Sequence, residues 1–308
     1  MKVDIAPGKY VLAVSGGVDS IVLLDILAKQ AKSQKLKAKS SDIQLSANSL
    51  QLVVVHFNHG IREDSVKDEQ LVKQTVKKLS LPIEVGYGKL GKGASEEQAR
   101  NARYKFLEKI KKKHQADGII TAHHQDDLIE TALLNILRGT HRKGLSSIRS
   151  VKVHRPLLGV PKKAILAYAK RSKLKWREDE SNQDSKYQRN YLRNQILPNL
   201  SAAKRAEILE NLDKVAKLNV EIDNNIATLS HVLRNNKLNR QAFIMLPPQV
   251  ADELLIFWLK KNKLGQFDAK TVKRLSTSVK TGLAGAKQPV YGQWQVRLDK
   301  HSASLMHP

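Results

Sequence analysis

Short apolar runs alternate with amphipathic segments through the first part of the chain. Continuous apolar runs, typical of strands buried in a parallel sheet, occur at 11–14, 52–55 and 118–122, and a further short strand is predicted near 82–87. Apolar residues at helical spacing predict helices from 21, over 63–80, over 95–114, from about 127 to 139 and over 161–173. This alternation favours a parallel sheet covered on both faces, so we expect an α/β fold.

The pattern changes after residue 200, where apolar positions recur at helical spacing over a long stretch. They predict one long helix or two in succession between 208 and 229, and another helix over 250–259. Residues 288–306 alternate as in a short hairpin. We therefore expect a boundary near 198–201, between an α/β domain at 1–200 and a mainly helical domain at 201–308.

Composition adds a strong positive charge to this picture. Lys and Arg number 54 against 29 Asp and Glu, which gives the 308 residues a net charge of +25. Such an excess is typical of a protein that binds nucleic acid or an anionic membrane surface, although a solvated basic surface remains an alternative. The absence of cysteine excludes disulfides, iron–sulfur clusters and thiol catalysis. No apolar run resembles a signal peptide or approaches the ~18 residues of a membrane span, so we expect a cytoplasmic protein.

The segment Ser15-Gly-Gly-Val-Asp-Ser20 lies between the first predicted strand and the first predicted helix. Gly16 and Gly17 allow the backbone to approach a ligand closely, and the first N–H groups of the helix attract an anion. Ser15 and Ser20 add hydroxyl groups. No Gly-Lys-Ser/Thr follows, which excludes a Walker A loop. The segment therefore predicts a phosphate-binding loop, and the alternative is a tight turn without a ligand.

Three acidic residues at 126, 127 and 130 follow the fourth predicted strand, where a helix begins. Asp127 and Glu130 are three residues apart and hence share a helix face. One carboxylate of this group, together with Asp19, suits a Mg²⁺ ion that also binds the phosphates of a ligand in the loop at 15–20. The remaining carboxylate would receive a cationic substrate amine. The alternative is that these acids only stabilise the helix N-terminus.

Polar segments at 15–20, 56–62 and 123–127 each follow a predicted strand, so we expect them to meet in one crevice at the carboxyl edge of the sheet. The adjacent His123 and His124 do not favour a zinc site, because neighbouring side chains point in different directions and no cysteine is present. We expect one of them to contact phosphate or transfer a proton, and the other to lie in the core.

Two pairs of arginines have the spacing of a phosphate clamp on a helix. Arg100 and Arg103 lie on the helix that Ser95 opens with a predicted capping box, and Arg189 and Arg193 are four residues apart. An ordinary basic helix face explains either pair equally well. The spacing alone therefore leaves both interpretations open.

The loop at 15–20 resembles the phosphate loop of the N-type ATP pyrophosphatases, which cleave ATP to AMP and pyrophosphate while they activate a substrate as an adenylate. Further motifs are similar to those of the bacterial tRNA(Ile)-lysidine synthetases, and they occur in the same order. They are Val55-His-Phe-Asn-His-Gly-Ile-Arg62, Ala94–Leu107, Thr121–Thr131, Arg138-Gly139, Arg155-Pro-Leu-Leu158 and Glu178–Asp184 with Arg189-Asn190. The resemblance covers about residues 10–200 and fades after 201.

The resemblance implies a ligase that uses ATP and Mg²⁺ to adenylate the wobble cytidine 34 of the CAU anticodon of tRNA(Ile), after which free L-lysine displaces AMP to form lysidine. It implies the following roles. The phosphates would be held by Ser15, Gly16, Gly17, Val18, Asp19 and Ser20, with Arg100 and Arg103 also in contact with ATP. The reacting centre and lysine site would contain His123, Asp127 and Glu130, with Arg103 beside them, and Asp19 and Asp127 would bind the metal.

The resemblance also bears on the second domain and on rival functions. Longer family members carry a further carboxyl-terminal domain, so this chain resembles the short form of the family, and recognition of the acceptor stem would rest on 201–308 and the basic surface. The family often forms dimers, so a homodimer is expected here, and no membrane partner is. A related tRNA thiolation enzyme would need cysteine to handle sulfur. A plain RNA-binding protein would not need Asp19 or the acidic group at 126–130.

Overall fold

The computed structural model describes residues 1, 3–39, 49–60, 64–88, 91, 94–140, 142–145, 148, 153–177, 188–234, 236–265 and 267–307. These residues form two compact units. The first comprises Met1–Leu134 and Ser147–Ile208, and the second comprises Asn135–Ser146 and Leu209–Pro308. A single boundary near 198–201 does not account for residues 135–146, which belong to the second unit. The division into domains at 1–200 and 201–308 stays a proposal. No described helix is both long and apolar enough to cross a membrane.

The first unit alternates strands and helices, as the apolar pattern predicts. Its strands are β1 (Gly8–Ala13), β2 (Leu50–Asn58), β3 (Ile83–Tyr87), β4 (Gly118–Ile120) and β5 (Val153–His154). Its helices are α1 (Val18–Lys39), α2 (Ser65–Lys78), α3 (Glu96–Lys113), most of α4 (Gln125–Leu137), α6 (Lys162–Arg171) and α7 (Gln188–Tyr191), while α5 (Arg142–Leu145) belongs to the second unit. A π-helical turn at Leu192–Ile196 and a 3₁₀ turn at Leu197–Asn199 follow α7.

The five strands form one parallel sheet in the order β3-β2-β1-β4-β5, which confirms the predicted α/β fold. Alternate residues of the central strands enter two different cores. Leu12 and Val54 pack with α1, α2 and α6, whereas Val11 and Val53 pack with α3. Both faces of the sheet are thus covered, which explains why its central strands carry continuous apolar runs at 10–13 and 52–55. Strand β5 was not predicted, because two residues carry no periodic signal.

The second unit contains helices and an additional sheet. Its helices are the larger part of α8 (Ala202–Thr228), α9 (Arg240–Ile244), α10 (Pro248–Lys261) and α11 (Ala269–Thr281). Its strands are β6 (Leu233–Arg234), β7 (Lys237–Asn239), β8 (Lys287–Tyr291), β9 (Trp294–Leu298) and β10 (Ser302–Met306), in the order β6-β7-β10-β9-β8. The region 288–306, predicted as a short hairpin, contains the three antiparallel strands β8, β9 and β10, and α8 is one continuous helix. The sheet is broader than the hairpin predicted from sequence, and helix α11 was not predicted.

Arg142 explains why the segment 135–146 belongs to the second unit. Its guanidinium donates to Glu253 at 2.8 and 2.9 Å and to Asp223 at 2.7 Å. It also donates to the side-chain oxygen of Asn219 at 2.8 Å. Charge-assisted and bidentate contacts of this kind are among the strongest in proteins. The segment is therefore held by partners on α8 and α10 of the same unit.

Gly86 in β3 sets the position of helix α3 over the sheet. A Cβ atom built on Gly86 would lie 2.5 Å from Cε1 of Phe106, which is a side chain of α3. Only a glycine permits this approach of the ring to the strand. Since α3 also carries Arg103, this contact fixes how deeply the arginine reaches past the sheet edge.

We predict that Gly86→Ala lowers the free energy of unfolding by about 1–3 kcal/mol, because the added methyl group forces the Phe106 ring out of its place. Urea unfolding monitored by circular dichroism measures the change. Gly159→Ala is the matched control, since no atom lies within 4 Å of a Cβ at that position. In a Phe106→Leu background the cost of Gly86→Ala should shrink; an undiminished cost there would contradict the steric explanation.

Candidate active site

The loop between β1 and α1 is ordered by the hydroxyl of Ser20. Its Oγ accepts from the backbone N–H groups of Ser15 and Gly16, both at 3.2 Å, and donates to the carbonyl of Gly17 at 2.9 Å. Gly16 has φ +100°, a conformation that other residues rarely adopt, whereas no positive φ is found at Gly17. The glycine requirement is therefore conformational at Gly16. The loop ends on the N-terminus of the 22-residue helix α1, which favours a bound anion.

This loop forms one wall of a cavity of about 450 Å³ beyond the carboxyl ends of the strands. The end of β2 at 55–59 forms a second wall, and residues 121–123 with Asp127 form a third. The side chains of Arg103, on α3, and Arg177 also line the cavity. The structure thus brings the three polar segments together at one edge of the sheet. Residues 61 and 62 of the second segment, and the motif at 178–184, lie outside the described residues.

Asp19 lies in the cavity wall but is engaged by a lysine. Nζ of Lys162 lies 2.6 Å from Oδ1 and 2.8 Å from Oδ2 of Asp19. Nε2 of His124 lies 3.7 Å from the same Oδ1. Both carboxylate oxygens of the predicted metal ligand therefore face cations or ring nitrogens of the protein itself.

His124 stands between the two predicted metal-binding carboxylates. Its Nδ1 accepts from the backbone N–H of Asp126 at 3.2 Å, which leaves the proton on Nε2. That Nε2 lies 3.4 Å from Oδ2 of Asp127, in addition to its contact with Asp19. The backbone N–H of His124 also donates to Asp127 at 2.9 Å. His124 is buried, as expected for one of the two histidines, but its ring faces the carboxylates of Asp19 and Asp127.

Glu130 is enclosed by two arginines. It accepts from Arg193 at 2.8 and 2.9 Å and pairs with Arg189 at 3.1 Å, and its side chain is 3% exposed. Burial raises the pKa of its carboxyl, and the two arginines act against that rise. Asp126 pairs in the same way with Arg205 at 3.0 Å. Glu130 is not part of the cavity lining described above, whereas Asp127 is.

His123 is the histidine that lines the cavity. Its Nδ1 lies 2.8 Å from Oγ1 of Thr121. The pKa of His123 is lowered to about 4, chiefly by burial; Asp127 opposes this shift, and the positive charges of Arg155, Arg103 and Arg100 support it. The imidazole is therefore neutral at physiological pH.

Arg100 and Arg103 share the ring of Tyr104. Their guanidinium carbons lie 5.0 and 5.5 Å from its centroid, within cation–π range. Arg103 is half-buried in the cavity wall, and Arg100 is exposed. The capping box predicted at Ser95 is present and begins this helix. Of the two arginines, Arg103 is the one placed to contact a ligand in the cavity.

Sequence reasoning missed several residues that shape the site. Lys162 and Arg177 were part of segments predicted only as a helix and as a polar stretch. Arg177 donates to Asp68 at 2.6 Å, and its backbone N–H donates to the carbonyl of Gly16 at 3.1 Å. Among 54 basic residues, neither carried a motif that distinguished it. Their roles depend on long-range contacts, which no local pattern reveals.

The donor set fits Mg²⁺ shared with a nucleotide better than a metal held by protein alone. Within the described residues, no group of three or more His, Cys, Asp or Glu side chains is arranged to hold a metal ion. Asp19 and Asp127, however, face the same nitrogen of His124. Mg²⁺ is usually bound by one or two carboxylates together with substrate phosphates and water. A pair of carboxylates beside a phosphate-binding loop meets that requirement.

Comparisons with known proteins agree with this geometry. A family model described as a PP-loop domain matches residues 3–200. The tRNA(Ile)-lysidine synthase of Nitrosomonas europaea is 33% identical over 84% of this chain and 56% of its own length. The enzyme of that name from Francisella tularensis subsp. holarctica is 30% identical over 98% of this chain and 75% of its own length. The chain thus spans about half to three quarters of these relatives.

Among solved structures, the U34-tRNA thiolase NcsA from Methanococcus maripaludis has a TM-score of 0.55. It is 17% identical, and the match covers 69% of this chain and 74% of that one, so the likeness concerns the fold alone. The parallel sheet, the loop at 15–20 and the family match define a PP-loop, ATP-binding protein. Within that class, the chain belongs to the tRNA(Ile)-lysidine synthase family.

We predict that His123 titrates with a pKa of about 4. It should therefore show no protonation between pH 5 and 8 when ¹⁵N-labelled imidazoles are followed by NMR. Arg103→Met should raise the His123 pKa, because a nearby positive charge disfavours the imidazolium. Exposed His231 provides an internal reference in the same spectra. A His123 titration near 6.5 in the unmodified protein would contradict the burial described above.

We also predict that Ser20→Ala weakens ATP binding about tenfold without unfolding the protein. The loop N–H groups of Ser15 and Gly16 lose their acceptor, and an unpaired buried donor costs about 1–3 kcal/mol. Isothermal titration calorimetry with ATP and Mg²⁺ measures the change. Ser201→Ala removes a hydroxyl from an exposed helix N-terminus and should leave the affinity unaltered. Equal affinities for Ser20→Ala and wild type would show that this hydroxyl does not order the loop.

Proposed function

We propose that the protein attaches L-lysine to C2 of cytidine 34 in the CAU anticodon of tRNA(Ile), in a reaction that converts ATP into AMP and pyrophosphate. Family membership supports this proposal, since the chain is 30% identical to a tRNA(Ile)-lysidine synthase over nearly its whole length. The observation that carries it in the structure is the cavity, in which a phosphate loop faces Asp127, His123 and Arg103.

In the first step, the C2 oxygen of the cytidine attacks the α-phosphorus of ATP and pyrophosphate leaves. The loop at 15–20 would bind the phosphates through the first N–H groups of α1, since the N–H groups of Ser15 and Gly16 donate to Ser20. Arg103 would bind the phosphate that carries the developing charge, with Arg100 nearby. Asp19 and Asp127 would hold Mg²⁺, which neutralises charge on the departing pyrophosphate when it is bound.

In the second step, the amine of lysine attacks C2 and AMP leaves, which forms the new C–N bond. A neutral His123 can accept a hydrogen bond from the amine, because its low pKa keeps the ring nitrogen unprotonated. Asp127 and Glu130 are the carboxylates assigned to the lysine site. Glu130 can receive an ammonium group only after Arg189 or Arg193 has released it, since its side chain is 3% exposed.

The substrate explains the charge of the chain. A net charge of +25 suits a tRNA, because each phosphate contact with Lys or Arg releases a counterion and adds affinity. The target cytidine must leave the stack of the anticodon loop to enter a cavity of about 450 Å³. A homodimer stays a prediction from the family resemblance.

We expect purified protein, incubated with ATP, Mg²⁺, labelled lysine and tRNA(Ile) bearing a CAU anticodon, to place label in the tRNA and to release AMP and pyrophosphate. Asp19→Ala should fold but lose the transfer, because the phosphates and Mg²⁺ would lack their carboxylate. Asp4→Ala, an exposed aspartate near the N-terminus, is the matched control. Acid-precipitable counts and thin-layer chromatography of the nucleotides measure both products.

Two results would count against the proposal. Binding of ATP without any lysine transfer to tRNA would contradict the assigned reaction. Full transfer by Asp19→Ala would remove Asp19 from the metal site while leaving the reaction itself assigned.

A further inference from the structure

The ion pair between Lys162 and Asp19 takes no part in either step of the proposed reaction. Lys162 is the first residue of α6 and Asp19 is the second residue of α1, so the contact joins two helices that are distant in sequence. The ammonium group lies 2.6 and 2.8 Å from the two carboxylate oxygens. The same carboxylate is proposed to bind Mg²⁺, which it cannot do while both of its oxygens face an ammonium group.

The pair is open enough to exchange partners. The side chain of Lys162 is 34% exposed and that of Asp19 is 27% exposed. Ion pairs with this much solvent contact contribute little to the stability of a fold. The core beneath is instead built by residues such as Ile165 of α6 and Leu23 of α1. Stability of the fold therefore does not explain the pair.

A bound triphosphate changes the electrostatic balance at this position. Asp19 lies in the loop at 15–20 and is the second residue of α1, so phosphates bound at the N-terminus of that helix would lie beside its carboxylate. Phosphate oxygens then compete with the carboxylate for the ammonium group. The flexible four-carbon chain of a lysine allows its charge to move between neighbouring oxygens.

We propose that Lys162 is a phosphate-binding residue that Asp19 holds in the free protein, and that the nucleotide draws its ammonium group away from Asp19 and so opens the carboxylate to Mg²⁺. This inference rests on the proposed use of ATP with Mg²⁺. Binding of the phosphates is thereby coupled to binding of the metal, because the phosphates bind Lys162 and the metal ion binds Asp19.

The experiment measures the two halves of this exchange separately. Binding of inorganic pyrophosphate in EDTA is followed by calorimetry, and binding of Mn²⁺ alone is followed by electron paramagnetic resonance. Lys162→Met should weaken metal-free pyrophosphate binding about tenfold, the scale of one lost charge-assisted contact, and should strengthen Mn²⁺ binding several-fold. The adjacent Lys163→Met is the matched control, because Lys163 is exposed on the same helix and should change either affinity less than twofold.

Asp19→Asn tests the exchange from the other side. It frees Lys162, so metal-free pyrophosphate should bind more tightly than in wild type, while Mn²⁺ binding should be lost. A Lys162→Met protein in which both affinities fall, or neither changes, would overturn the proposal. Should that variant fail to fold, weaker or unchanged pyrophosphate binding by Asp19→Asn would overturn it as well. Neither lysine nor tRNA is present, so failure of lysine transfer leaves these outcomes interpretable.

Discussion

The position of β1 between β2 and β4 is the constraint on which the site depends. Leu12 lies opposite Val54 on one side and Ile120 on the other, and all three side chains are completely buried. Because the three strands are parallel, the polar residues that follow them emerge at the same edge of the sheet. His56 strengthens this arrangement, since its Nδ1 lies 2.8 Å from the carbonyl of Val14 at the start of the loop. Burial lowers the pKa of His56, which favours the neutral ring that donates to this carbonyl.

Acidic groups around the cavity are matched with basic groups of the same unit. Asp19 pairs with Lys162, Asp127 and Glu130 pair with Arg193, and Asp68 pairs with Arg177. Uncompensated charges in a partly buried site would repel one another and lose hydration. The free protein therefore provides internal partners for groups whose proposed ligands are phosphates, a metal ion and an ammonium group. Ligand binding then becomes an exchange of partners, which couples the occupancy of neighbouring positions.

The sequence predicted what depends on local periodicity and short-range spacing. The strands β1 to β4, the capping box at Ser95 and the loop at 15–20 all rest on such signals, and the structure has each of them. The ion pair between Lys162 and Asp19 could not be predicted from local patterns, because it depends on how α6 packs on α1. Such patterns also missed the role of Arg142, whose partners on α8 and α10 are far away in the chain. Local patterns define elements, whereas ion pairs between elements depend on the completed packing.

His123 reports the electrostatic character of the cavity. Asp127 lies close enough to raise its pKa, yet the pKa falls to about 4 through burial together with the charges of Arg155, Arg103 and Arg100. Burial by itself lowers the pKa of a histidine, so this shift does not require a net positive potential in the cavity. The three arginines add to the effect of burial, and their charge would also favour a polyphosphate or the phosphate backbone of RNA. Burial is thus the main reason that His123 is neutral, and the positive charges of the neighbouring arginines reinforce it.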